Sequence, residues 1–347
     1  MTKLLSSPFS RRSFLKTSAM SAAAIGLAPG GLLTPAMAQA AITVGFIYVG
    51  PKDDYGYNQA HAEGAAMLKE MAGITVVEEE NVPENVDVQK TMESMINLDG
   101  ATLVFPTSFG YFDPHMLEMA KKYPDIQFRH CGGLWTEGTH PANTGSYFGY
   151  IGQGQYLNGI AAAYASKSKK IGFVAAKPIP QVLQNINSFL LGARSVDPAI
   201  TCHVDSPKVV VETAAGRGAF VCGYHANQSP LAPEKYLTGA EWAWGNVYSD
   251  FVKKAQAGEA LGNFVRGGLK DGFVKMSPLG PAVPEEGRKA FDATLAEMMA
   301  GGYSIYKNGL KDNKGNVVVP EGTALAEDAI ELESMSYLVE GVVGSTS

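Results

Sequence analysis

The stretch ITVGFIYVGPKDDYGYNQAHAEG, residues 42–64, runs from an apolar, β-branched segment through a polar loop into a segment with apolar residues at helical spacing. The segment 42–49 reads as a strand with both faces covered, because a half-buried strand would alternate apolar and polar residues. The same alternation of strand and helix recurs downstream. Strands are expected at 74–82, 101–107 and 126–132, and helices at 58–72, 86–97 and 112–122. Such a βαβα series implies a parallel sheet with helices on both faces.

After SYFGYI (146–151) a second series begins, with helices expected at 153–166, 182–195 and 207–216 and strands at 170–176, 200–204 and 218–224. Two series in one chain suggest two α/β lobes with a cleft between them. The tail returns through 264–278 to a helix at 285–300, and the Gly and Asn pairs beyond residue 303 read as hairpin turns. The expected division is residues 39–150 with about 272–347 in the amino-terminal lobe and 151–271 in the other.

The first 38 residues read as a leader. Arg11-Arg12 precedes Phe14 and Leu15, a weakly apolar stretch follows, and Ala36-Met37-Ala38 supplies a small-x-small cleavage signal. The pattern resembles a twin-arginine export signal. Pro29, Gly30, Gly31 and Pro35 interrupt the apolar stretch, leaving it short of the ~20 residues of a spanning helix. No cysteine follows the signal to accept a lipid, so a mature periplasmic form starting at Gln39 and free of lipid is expected.

The net charge of −6 becomes −10 once Lys3, Arg11, Arg12 and Lys16 leave with a leader that contains no acidic residue. So acidic a chain, without a basic cluster, argues against nucleic acid and anionic membranes as partners. Cys131, Cys202 and Cys222 are odd in number and share no C-x-x-C, which points to neither a disulfide framework nor a zinc knuckle. His61 and Glu63 form no H-E-x-x-H, and HVD at 203–205 is one histidine beside one carboxylate, so no metal or other cofactor is expected. GQGQYLNG (152–159) lacks the glycine spacing of a dinucleotide loop.

In open α/β sheets, ligands sit beyond the carboxyl ends of the strands. The loops there are Gly50–Asn58, Pro106–Phe112, Gly132–Trp135, Lys177–Gln184, Asp205–Pro207 and Tyr224–Ser229, rich in aromatic and amide side chains. Asp53 and Asp54, adjacent on one loop, read as a helix N-terminal charge or a polar ligand contact rather than as an acid–base pair.

VGFIYVGPKDDYGYNQAHAEG, NVDVQKTMESMINLDGATLVFPTSFGY, YIGQGQYLNGIAAA and GYHANQS carry a resemblance to the basic-membrane-protein family of ABC-transporter solute-binding proteins, over nearly the whole mature chain. The resemblance implies a type I periplasmic-binding fold, with two doubly wound lobes joined by a hinge. It also implies a monomer that closes on a small ligand and docks to an inner-membrane permease, with no catalytic residues. In that family an aromatic-Asn-Gln loop stacks on a purine, and the matching residues are Tyr57, Asn58 and Gln59. Trp242 in EWAWG is the expected second stacking surface. Asn187, His203, Asp205 and Ser206 are candidates to read the base edge, with Asp53 and His225 as further contacts. Nucleoside-binding relatives place an aspartate and a lysine where this chain has His225 and about Trp242, so a free purine base is expected ahead of a nucleoside. A nucleoside-processing enzyme working through Asp53 or Asp54 is the reading from another class, and it lacks a nucleophile–base pair.

One departure concerns the second lobe. Relatives carry an extra strand–helix unit where only AITC (199–202) separates Pro198 from His203, too few residues for a parallel crossover. The short link at 197–208 is therefore expected to be strained or poorly ordered.

Overall fold

The computed structural model describes residues 40–132, 135–175, 178–205 and 211–346. The leader, Lys177, Ser206 and Pro207 lie outside the described residues. The opening run forms β1 (Ile42–Ile47) and the polar loop turns into α1 (Tyr57–Lys69). There follow β2 (Ile74–Glu79), α2 (Asp87–Asn97), β3 (Leu103–Pro106), α3 (Leu117–Lys122), β4 (Gln127–Cys131) and β5 (Thr144–Gly149). The second series comprises α4 (Gly152–Ala165), β6 (Lys170–Val174), α5 (Pro180–Val196), β7 (Thr201–Asp205), α6 (Val211–Gly216), β8 (Val221–His225) and β9 (Tyr236–Trp242). The chain then runs through α7 (Trp244–Ala257), β10 (Phe264–Gly267), β11 (Val274–Met276), α8 (Glu285–Ala300), α9 (Ile330–Glu333) and β12 (Val342–Val343).

The first lobe is a parallel sheet in the order β10-β5-β4-β3-β1-β2. All four residues of β3 and all six of β5 are buried, which is why these segments read as continuous apolar or small-residue runs rather than as alternating ones. The second lobe holds its strands in two sheets, β12-β7-β6 and β11-β9-β8. Of these pairs only β11 with β9 is antiparallel. β6 and β8 are thus outer strands of separate sheets.

Two sequence expectations are corrected here. Of the link at 197–208, residues 206–208 lie outside the described residues, and the described part, 197–205, is regular: Ala199 N and Ile200 N bond to Asp197, and β7 pairs with β6 along all five residues. The short connection suffices because α5 itself is the crossover and Asp197 turns the chain directly into β7. Sheet membership also differs from the expected division at 151 and about 272. The chain crosses between lobes after β5, after β9 and after β10, so α7 and β10 join the first lobe, α7 lying on α1 and β10 pairing with β5. The tail joins the second lobe instead, where β12 pairs with β7 and Tyr306 Oη meets Ser188 Oγ at 3.0 Å.

Besides the pairing of β12 with β7, the tail beyond residue 303 makes isolated antiparallel bridges, Lys307 with Ala324, Lys311 with Val317 and Asp312 with Val339, the second closing across a turn as a hairpin turn would. It is tied down by side chains. Asn187 donates to Tyr337 O (2.9 Å) and accepts from Val339 N (2.8 Å), while Arg266 on β10 pairs with Glu333 of α9 at 3.0 Å.

Candidate functional site

The loop after β1 is organised by Asp54. Its carboxylate accepts from the backbone N–H groups of Gly56 (2.8 Å), Gln59 (3.0 Å) and Asn58 (3.1 Å), which caps α1. Asp54 also accepts from Asn58 Nδ2 at 2.9 Å. A carboxylate at a helix N-terminus satisfies exposed donors and the helix dipole together, so this residue serves the fold rather than chemistry. Asp53 beside it is exposed.

On the capped α1, Tyr57 meets His225 of the second lobe, while His61 packs against Trp244 and Tyr248 of α7. Tyr57 Oη donates to Thr107 O beyond β3 at 2.6 Å, which fixes its ring. That ring meets His61 edge-on at 4.6 Å and His225, at the end of β8, edge-on at 5.5 Å. Asn58 is only 5% exposed, and its Oδ1 has no partner. Because a carboxylate can only accept, Asp54 holds the amide nitrogen of Asn58 and turns the carbonyl oxygen away from it. A buried acceptor without a donor costs about 1–3 kcal/mol, a loss that a ligand N–H would recover.

From the second lobe, Trp242 Nε1 donates to His225 Nδ1 at 2.9 Å, and Tyr224 stacks on His225 with ring centroids 3.5 Å apart. Gln228 Nε2 donates across the cleft to Tyr55 O at 2.7 Å. Tyr55 and His225, one in each lobe, are both non-glycine residues in the left-handed region, with φ of 51° and 76°. Such backbone is uncommon and clusters at functional sites. Behind them Trp242 stacks on Trp244 (4.5 Å, 16°), and Trp244 lies parallel to His61 (5.6 Å, 5°). The buried His61 is hydrogen-bonded to Tyr248, whose hydroxyl meets that of Tyr147 at 2.9 Å.

Burial decides the protonation of this cluster. It lowers His61 well below its ordinary pKa, His130 to about 4 and His225 to about 3, with the Asp54 charge pulling weakly the other way on His225. It raises the Cys131 thiol to about 12 and pushes the Tyr57 and Tyr224 hydroxyls up. At neutral pH these groups are uncharged. They suit a neutral, flat, hydrogen-bonding ligand. Among the described residues no group of three His, Cys, Asp or Glu is placed to hold a metal ion.

The structure thus gathers Tyr57, Asn58, His225 and Trp242, and it scatters the remaining candidates. Trp242 does not complete a sandwich with Tyr57, because its ring is 4% exposed and stacked on Trp244, and His225 stands opposite the tyrosine instead. Asn187 is spent on the tail, with both its amide nitrogen and its oxygen bonded there. His203 is exposed within β7, between Gly172 and Val343. Asp205 ends that strand, and Ser206 lies outside the described residues. Sequence reasoning missed Tyr147, Tyr248 and His61 as one network, since their contacts join positions 101 and 187 residues apart.

A family model described as ABC transporter substrate-binding protein PnrA-like matches residues 41–209, and one for the twin-arginine translocation signal matches residues 8–28. A purine-binding protein of Brucella abortus is 31% identical over 340 residues, covering 88% of this chain and 94% of its own. A Haloferax volcanii protein, named as a candidate glucose-binding protein of an ABC transporter, is 27% identical over 87% of this chain and 81% of its own. Among solved structures, an ABC transporter solute-binding protein from Conexibacter woesei superposes with a TM-score of 0.59 at 19% identity, covering 75% of this chain and 97% of that one.

Proposed function

Because this chain belongs to the Bmp family of ABC transporter substrate-binding proteins and carries a twin-arginine signal for export to the periplasm, we propose that it captures a free purine base between its lobes and delivers it to an inner-membrane permease. The base would be adenine, guanine or hypoxanthine. The observation that carries this reading is Asn58, whose buried, unpaired Oδ1 sits next in sequence to the fixed Tyr57 ring. A purine offers the tyrosine a π-face and the asparagine an N–H, and stacking of this kind contributes ~1–3 kcal/mol per base. The Brucella relative's purine binding points the same way. By the family resemblance, nucleoside-binding members place a charged pair for ribose at the positions of His225 and about Trp242, and a neutral imidazole lacks the two acceptor oxygens that suit a vicinal diol. The role is one of binding and release without chemistry, by a monomer that is free of lipid once its leader is removed.

Adenine is expected to bind the mature protein at least tenfold tighter than adenosine, a gap of ~1.4 kcal/mol. Tyr57→Ala should weaken adenine by ~1–3 kcal/mol, while Tyr57→Phe, which keeps the ring, should retain most of the affinity. Titration calorimetry decides both points. Tighter binding of adenosine would overturn the free-base reading, and unchanged affinity in Tyr57→Ala would remove the stacking site.

A further inference from the structure

Trp242 and His225 raise a question that packing alone does not answer, namely why a buried indole is aimed at the imidazole on the rim of the cleft. An indole N–H can only donate, so the atom that receives it must carry a lone pair. Trp242 Nε1 lies 2.9 Å from His225 Nδ1. In a neutral imidazole one ring nitrogen accepts and the other carries the proton. With Nδ1 committed as acceptor, the proton resides on Nε2, at the distal edge of the ring.

We propose that Trp242 is a positioning residue that locks His225 in its Nε2–H tautomer, so that the cleft offers its ligand a fixed hydrogen-bond donor beside Tyr57. The indole is itself held immobile. It stacks on Trp244 at 4.5 Å, its residue pairs with Val274 of β11, and a Cβ at Gly149 would come 2.5 Å from its six-membered ring, so only glycine leaves room for it there. His225 is equally constrained. Tyr224 stacks on one side, Tyr57 meets it edge-on, and its own φ of 76° is a conformation that neighbouring structure must impose. Burial keeps the ring neutral, and the tautomer therefore remains defined throughout the physiological range.

Asn58 Oδ1 and His225 Nε2 are then two groups of opposite polarity with no freedom to exchange roles. Asn58 Oδ1 accepts because Asp54 holds its amide nitrogen, and His225 Nε2 donates because Trp242 holds Nδ1. A ligand that fits must bring a donor to the first and an acceptor to the second. A purine base carries both along one edge. For the identity of the ligand this inference rests on the purine reading, but the tautomer itself does not.

Nitrogen-15 spectra of the mature protein with labelled histidine test the lock directly, with His225 assigned by comparison with His225→Gln. The ligand-free wild type is expected to show a single neutral tautomer of His225, protonated at Nε2. Trp242→Phe, which keeps an aromatic ring and removes the N–H, should mix the two tautomers and weaken adenine about tenfold by calorimetry. A wild-type ring protonated at Nδ1, or a Trp242→Phe protein with the same single tautomer, would overturn the proposal. If the variant fails to fold, the wild-type spectrum alone decides. If the wild type shows the locked tautomer yet binds no adenine, the lock stands and the purine reading falls; if adenine binds and the tautomer is the other one, the lock falls by itself.

Discussion

Gly192→Ala is expected to destabilise the second lobe by about 3 kcal/mol or more, an effect large enough to lower the yield of folded protein. α4 and α5 cross with their backbones in contact. A Cβ at Gly192 would sit 1.9 Å from Tyr156 O, and one at Gly159 would sit 2.0 Å from Phe189 O. Neither obstacle is a side chain that could swing away. To admit one methyl group the helices must separate, which would open the layer containing Leu157, Ile160, Leu190 and Ala193, all buried. Gly216→Ala is the matching control, since a Cβ at that position meets nothing within 4 Å. Denaturant unfolding of the two variants against wild type provides the measurement. Wild-type stability in Gly192→Ala would show that the helix contact is looser than described.

Acidification from pH 7.5 to pH 5 should destabilise the protein through its buried histidines. His61 and His130 are 0% exposed and neutral in the fold, His225 is partly buried, and all three have pKa values depressed by loss of water. In the unfolded chain each takes up a proton near pH 6.5, so the unfolded state binds more protons as pH falls below that value. Stability is therefore fully present above about pH 6.5 and lost as pH falls from there toward the folded values, at ~1.4 kcal/mol per pH unit for each buried histidine. His130, with its folded value of about 4, contributes a loss of roughly 2 kcal/mol by pH 5. His61 acts in the same direction, and His225 adds less because it is partly exposed. Guanidinium unfolding at pH 7.5 and pH 5 tests this, and equal midpoints would mean that these imidazoles are not buried neutral.

Much of the site was legible in a dozen residues. The strand 42–49 and the helical spacing after residue 58 placed Tyr57 and Asn58 at the carboxyl end of a parallel strand, where ligands collect. Asp54 read as a helix charge or a polar ligand contact because neighbours on one loop rarely share a target, and its three backbone bonds favour the first. Asn187 was misjudged for a definite reason. Its role depends on Tyr337 and Val339, about 150 residues away, and no local pattern announces a tail that folds back on α5. The lobe boundaries were displaced for a similar reason, because β10 is short and its pairing with β5 is set by a strand far earlier in the chain.

The sequence by itself determined the export signal, the α/β class, the two series of strand and helix, the family, and the aromatic-amide character of the first loop. These follow from periodicity, composition and local motifs, which act over one element or one turn. Tertiary structure alone decided that Trp242 supports His225 instead of facing Tyr57, that β6 and β8 end separate sheets, and that the tail closes the second lobe. It also decided which polar atoms are left unpaired and which imidazoles stay neutral. Burial, stacking and hydrogen-bond direction are properties of atoms brought together across the chain, and they come into being only when the two lobes have packed.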